Sequence, residues 1–84
     1  MIDPRIFAPA RVGKALRQLR LAKGLSLRKA IAGAWPMFTP SSHTSMLRFE
    51  NGYQHITLDK LFPLLELYGI SLEDFITILK GDDK

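Results

Sequence analysis

Cysteine is absent from these 84 residues, and there are only two histidines. Without Cys there is neither a disulfide scaffold nor a Cys-based zinc site, and a reducing cytoplasm fits best. His43 and His55 stand too far from other ligand types to make a metal site, so no metal and no cofactor are expected. Long apolar runs are missing too: nothing approaches the roughly 20 residues that span a bilayer. The opening stretch MIDPRIFAPAR lacks the apolar core of a signal peptide, which points away from the membrane. A chain this short has a small core and little room for a substrate cavity, so the expectation is a protein that is not an enzyme. Ser42, Thr44 and Ser45 do not amount to a nucleophile site, because nothing positions a general base and acid around an enclosed pocket. No run alternates with period two for long enough to predict a strand, and no internal repeat is visible.

What is present in quantity is positive charge, unevenly placed. The net charge is +4, but Met1 to Ala34 holds eight Lys or Arg against Asp3 alone, whereas Thr57 to Lys84 holds three Lys against six acids. A basic first half attracts a polyanion, and the acidic end marks the side that faces away from it. The plainer reading is that charged helices need solvated faces.

Apolar spacing predicts five helices. Pro9 opens the first, about residues 9–22, with Val12, Ala15, Leu16 and Leu19 at spacings of three and four and Arg11, Lys14, Arg17 and Lys23 off that face; Gly24 closes it. Ser26 caps a second helix from Leu27 to about Ala34, with Arg28 and Lys29 near a helix start that favours phosphate. Trp35-Pro36 stops it, since the residue before Pro is pushed out of the α region. Trp35 to Phe38 is too apolar for an ordinary loop; its aromatics either fold back onto the core or form an exposed surface for a partner or a groove. Thr39-Pro40 looks like cap plus first residue of the third helix. Thr57 caps the fourth, with an expected apolar face of Leu58, Leu61, Phe62, Leu65 and Tyr68, and Pro63 either kinks it or delays its start. Ser71 caps the fifth, whose face is Leu72, Phe75, Ile76 and Leu79. Before all of these, Asp3-Pro4 can begin a short turn carrying Ile6 and Phe7. The resulting plan is all-α: an N-terminal arm over 1–8, one domain over 9–80 with its presented helix at about 40–51, and a frayed tail over 81–84.

The stretch Ser41 to Gly52 organises the rest. Met46 and Phe49 share one face of a helix, whereas His43, Thr44, Leu47 and Arg48 fall elsewhere; Asn51-Gly52 then ends the segment. A short helix with one buried and one presented stripe has the shape of a groove reader. On the bland alternative, Arg48 is a solvated charge.

The order of signals is a basic helix ending RLAKGLS, a short helix, a turn, SMLRFENG, then ITLDKL and GISLEDF. It resembles the repressor/Cro-type (XRE-like) helix-turn-helix family, most closely the DNA-binding domain of Rgg-type regulators. The resemblance covers about Val12 to Leu79 and implies a lambda-repressor-like DNA-binding domain of five helices, from which this sequence departs by a lengthened turn between helices 2 and 3. It implies an ion pair between Arg20 and Glu50. It places Ser42, His43, Thr44 and Arg48 where the family reads bases, and Asn51 and Gly52 at phosphate-contacting positions. Ser26, Arg28 and Lys29 fall where the second helix meets the backbone. The sequence departs from the family at Ala30-Ile31, where a large apolar residue followed by Ala is usual, and at Leu27, often Gln.

The expected function is sequence-specific binding of double-stranded DNA by a bacterial or phage transcriptional regulator, a repressor of Cro/C1 type. It would act in the cytoplasm, at the nucleoid when bound, as a homodimer. Ile78, Ile70 and the Ile6-Phe7 arm are candidate dimer contacts. The alternative is a protein-interaction module of the same fold, an antitoxin or antirepressor, using Trp35 to Phe38. The Rgg likeness also implies the head of a longer regulator.

Overall fold

Prolines and glycines punctuate the chain at the helix ends. In the computed structural model, which describes residues 4–81, a 3-10 turn at Pro4–Phe7 leads into α1 (Pro9–Ala22), with Pro9 at the first helical position. Gly24, at φ +69°, lets the Leu25 N–H return to the Arg20 carbonyl at 3.1 Å and closes α1. The Ser26 hydroxyl accepts from the Lys29 N–H at 3.1 Å and starts α2 (Leu27–Gly33). A second 3-10 turn, Pro40–Ser42, runs into α3 (His43–Glu50). The third helical segment therefore begins at Pro40, as the Thr39-Pro40 pair predicts, but its first turn is wound more tightly. α4 (Leu58–Tyr68) and α5 (Leu72–Gly81) follow. Pro63 neither delays nor ends α4, which starts at Leu58 and carries the proline in its second turn. Only the Asp59 carbonyl loses a donor there, and packing of the helix outweighs that loss. The fifth helix extends through Gly81; Asp3 and residues 82–84 lie outside the described residues.

The result is all-helical, with five α-helices and no strand among the described residues. No helix among them is long and apolar enough to cross a membrane. α1 packs on α3 and α5, α2 packs on α3 and α4, and the first 3-10 turn closes over α1 and α5. Ile6 is fully buried in the core beside Leu16, Met46, Phe49, Leu64 and Leu79, so it is a core residue and not a dimer contact. Ile70 and Ile78 are half-buried against the same core.

Two expected apolar faces are rotated in the structure. Along α4 the buried side chains are Leu61, Leu64, Leu65 and Tyr68, while Leu58 and Phe62 are exposed. Leu58, Leu61, Leu64 and Leu65 all satisfy a helical stripe, and the position of α2 against α4 selects among them. Likewise Leu72 lies outward at the start of α5, whereas Phe75 and Leu79 are buried and Ile76 is half-buried. Leu58, Leu72 and Phe7 border one apolar hollow of about 350 Å³ on the surface.

α1 and the end of α3 come together too closely for a side chain to fit between them. A Cβ on Gly13 would stand 2.1 Å from the Phe49 carbonyl oxygen and 2.7 Å from that of Glu50. Gly52, at φ +79°, lies against Ala10 with room for no side chain. Gly13→Ala should therefore cost about 2–3 kcal/mol, at the upper end of overpacking penalties, because backbone and not a flexible side chain must move. Urea denaturation checks this, and a loss below about 1 kcal/mol would mean that the helices separate without strain.

Candidate nucleic-acid interface

α3 is fixed from behind and open in front. Met46 and Phe49 are buried, and the Phe38 ring meets Phe49 edge-on, with centroids 6.3 Å apart and planes at 81°. The Lys60 ammonium lies 5.8 Å from the centre of the Phe49 ring. Beside these apolar contacts sits a buried ion pair. Arg20 donates through Nε to Glu50 Oε2 at 2.8 Å and through Nη2 to Oε1 at 3.0 Å, while Nη1 donates to the Leu25 carbonyl at 2.8 Å. One guanidinium thus joins α1, the end of α3 and the turn that leads into α2. Its planar fork matches the carboxylate, so both side chains hold one geometry. The hydrogen bond to Glu50 raises the Arg20 pKa above its ordinary value against the opposing effect of burial.

Tyr68 adjoins this pair. Its hydroxyl is buried and finds no hydrogen-bond partner among the described residues. Burial raises the phenol pKa, the Glu50 charge raises it further, and Arg20 opposes both.

On the open side, His43, Thr44, Leu47 and Arg48 are all exposed and form one outward stripe, since i and i+4 pairs stack along a helix. Ser42 differs. It is half-buried, and its hydroxyl oxygen accepts from the Thr39 N–H at 3.0 Å, so its first role is to close the turn ahead of α3. Leu47 was not among the expected site residues, although its spacing from His43 and Thr44 places it between them and Arg48. Helical spacing already puts Leu47 on the presented stripe, but an apolar residue there carries no charge signal to mark it as a contact; the structure leaves it 36% exposed.

The remaining expected contacts fall into two groups. Arg28 and Lys29 are exposed near the start of α2, and Ser26 is exposed there with its hydroxyl engaged as the cap. Arg28 and His43 line the same surface hollow, so α2 and the beginning of α3 present one continuous face. Asn51 and Gly52 stand at the other end of α3, about 12 Å away by the helical rise, where Gly52 meets Ala10. Trp35 and Phe38 divide between the two expectations for their segment: Phe38 folds back and is fully buried, whereas Trp35 is 65% exposed. The Trp35-Pro36 peptide bond is cis.

Comparison with protein-family models, curated proteins and solved structures returns no match for this chain.

Replacing Arg20 by Met should cost about 3–5 kcal/mol, because Glu50 is left as an uncompensated buried charge. A double change, Arg20→Met with Glu50→Leu, should recover much of the loss in denaturant titration; no recovery would mean that packing, not charge, dominates. Tyr68→Phe has the opposite expectation. Removing a hydroxyl without a partner should leave stability within about 1 kcal/mol of the parent, or raise it, at neutral pH. A raised folded-state pKa contributes stability that is complete below the unfolded tyrosine value near 10 and is lost as pH rises beyond it. The parent should therefore weaken above about pH 10 more steeply than Tyr68→Phe. Parallel stability curves for the two proteins over that range would assign the alkaline loss to other groups.

Proposed function

We propose that this protein is a sequence-specific double-stranded DNA-binding domain of the lambda-repressor-like helix-turn-helix type. In this reading α2 and α3 form the motif and α3 enters the major groove. The observation that carries the proposal is the outward stripe of α3, His43, Thr44, Leu47 and Arg48, exposed on a helix whose opposite face is locked by Phe49, Met46 and the Arg20–Glu50 pair. A reading helix must present donors and acceptors without moving, and that combination supplies both. Arg48 forks onto guanine O6 and N7; His43 and Thr44 each donate or accept, and Leu47 packs against a thymine methyl. Ser42 contributes through the turn it closes, where its hydroxyl pairs with both the Thr39 N–H and the Thr39 hydroxyl.

Phosphate contacts in this reading come from Arg28, Lys29 and Ser26 at one end of the motif and from Asn51 and Gly52 at the other. The basic first half of the chain supplies the sequence-independent part of the affinity, and the acidic final third turns away from the duplex. Two copies on a near-palindromic site place their α3 helices in successive major grooves about one helical turn apart. The role is that of a bacterial or phage transcriptional regulator in the cytoplasm, acting by occupancy and not by catalysis.

One observation favours the second reading, a protein-interaction module: Trp35 and Met37 are exposed in the segment between α2 and α3. The DNA reading is preferred because Arg28 and Lys29 remain open to solvent on the adjoining helix, where an apolar docking face has no use for them.

Selection from a randomised duplex library at two salt concentrations tests the proposal. Enrichment of an inverted repeat is the expected result; retention without a motif would leave a non-specific binder, and no retention would favour the protein-interaction module. Within the selected site, Arg48→Ala should lower discrimination at one base pair by about 1–3 kcal/mol and relax preference there. An equal loss on all sequences would make Arg48 a phosphate contact. Arg28→Ala with Lys29→Ala should reduce the slope of log affinity against log salt by about two, near 0.9 per phosphate released. An unchanged slope would remove α2 from the interface.

A further inference from the structure

The segment between α2 and α3 leaves the one tryptophan of the chain 65% exposed although Phe38, three residues on, is fully buried. Trp35 does not stand alone on the surface. It lines a hollow of about 590 Å³ whose other walls are Arg28, Ile31, Ala32, Phe38 and His43. Its apolar lining, beside the Trp35 indole, is Ile31, Ala32 and Phe38. The polar groups are a guanidinium from α2 and an imidazole from the first residue of α3.

We propose that this hollow is a saddle for the sugar-phosphate backbone of one DNA strand, with the Trp35 indole packed on a deoxyribose and Arg28 paired with the flanking phosphate. The proposal rests on the DNA-binding reading and adds to it a contact residue outside both helices of the motif. Its chemistry follows from the walls. A deoxyribose presents a face of C–H groups that asks for no hydrogen bonds, and it comes with an anion on either side. An apolar lining with a cation in it matches that unit. A base edge fits worse, because its donors and acceptors would lie over Ile31, Ala32 and Phe38 with nothing to pair them. The size of the hollow lies within the range that encloses a small molecular unit. His43 joins the saddle to the outward stripe of α3, so a strand seated at Trp35 sets the register in which Thr44, Leu47 and Arg48 meet the base pairs. Trp35 is thereby a positioning contact: it adds affinity on every sequence without reading any.

Because Trp35 is the only tryptophan, its fluorescence reports on the saddle directly in the unmodified protein. Titration with duplex DNA, with binding followed independently by the anisotropy of a label on the DNA, should shift the indole emission and cut its quenching by acrylamide. Trp35→Ala should lower affinity about five- to tenfold on all duplexes, at the low end of aromatic contacts to nucleic acid. The salt slope should not change, since no charge is removed, and Trp35→Phe should restore most of the affinity. Duplex binding with unaltered emission and unaltered acrylamide access would overturn the saddle while leaving the DNA-binding reading intact, and would free Trp35 for a protein partner. A loss confined to certain sequences, and reproduced by replacing thymine with uracil, would overturn the backbone assignment in favour of base reading. Absence of any duplex binding, seen in the anisotropy, would remove both.

Discussion

A single guanidinium ties together the parts of this fold that have to keep fixed positions. Arg20 reaches Glu50 with two hydrogen bonds and the Leu25 carbonyl with a third, so α1, the end of α3 and the entry to α2 share one anchor. Net stability is not the main benefit of such a pair, since desolvation offsets much of the Coulomb attraction. Its effect is geometric: the fork of Arg20 donates to both oxygens of the Glu50 carboxylate, which fixes their relative orientation. Gly13 and Gly52 complement it by letting α1 come against the last backbone atoms of α3, closer than any side chain allows. With the ion pair and the close approach together, α3 can neither slide along α1 nor roll on it without losing one of them.

That constraint decides what the surface can do. The stripe His43, Thr44, Leu47 and Arg48 is held outward because the other face of the same helix carries Met46 and Phe49 into the core. A short helix has little stability of its own and depends on such packing for its position. The cost is a buried phenol at Tyr68, close enough to feel both charges of the ion pair yet without a hydrogen-bond partner among the described residues. In the functional reading, rigidity behind α3 and charge beside it are two halves of one device. Under the proposed DNA-binding role, the first would keep the contact groups in register and the second would draw a duplex to them.

The helix boundaries were legible in the sequence because they depend on local chemistry. Pro9, Gly24, Ser26, Gly69 and Ser71 mark starts and stops that the structure uses, and each works through its own backbone or its nearest neighbours. The two stripes of α3 were legible for the same reason, since a helix fixes which residues share a face. The Arg20–Glu50 pairing was reached through a family resemblance; composition and spacing contain nothing that joins residues 30 positions apart.

By itself, then, the sequence determined the all-helical plan, the places where the helices break and the uneven charge. Tertiary structure alone decided which members of an apolar stripe go inside: Leu64 is buried in α4 while Leu58 and Phe62 are not, because the stripe is wider than the face that α2 and the core cover. It also decided that Gly13 is a contact point and not a weak spot in a helix, and that Ser42 closes a turn. The separation of Phe38 from Trp35 belongs here too. Both are large, aromatic and next to proline or threonine in the chain, and only the space beside Phe49 selects one of them for the core and leaves the other on the surface. Periodicity tells which side chains point the same way, but what they meet there is set by the neighbouring helices.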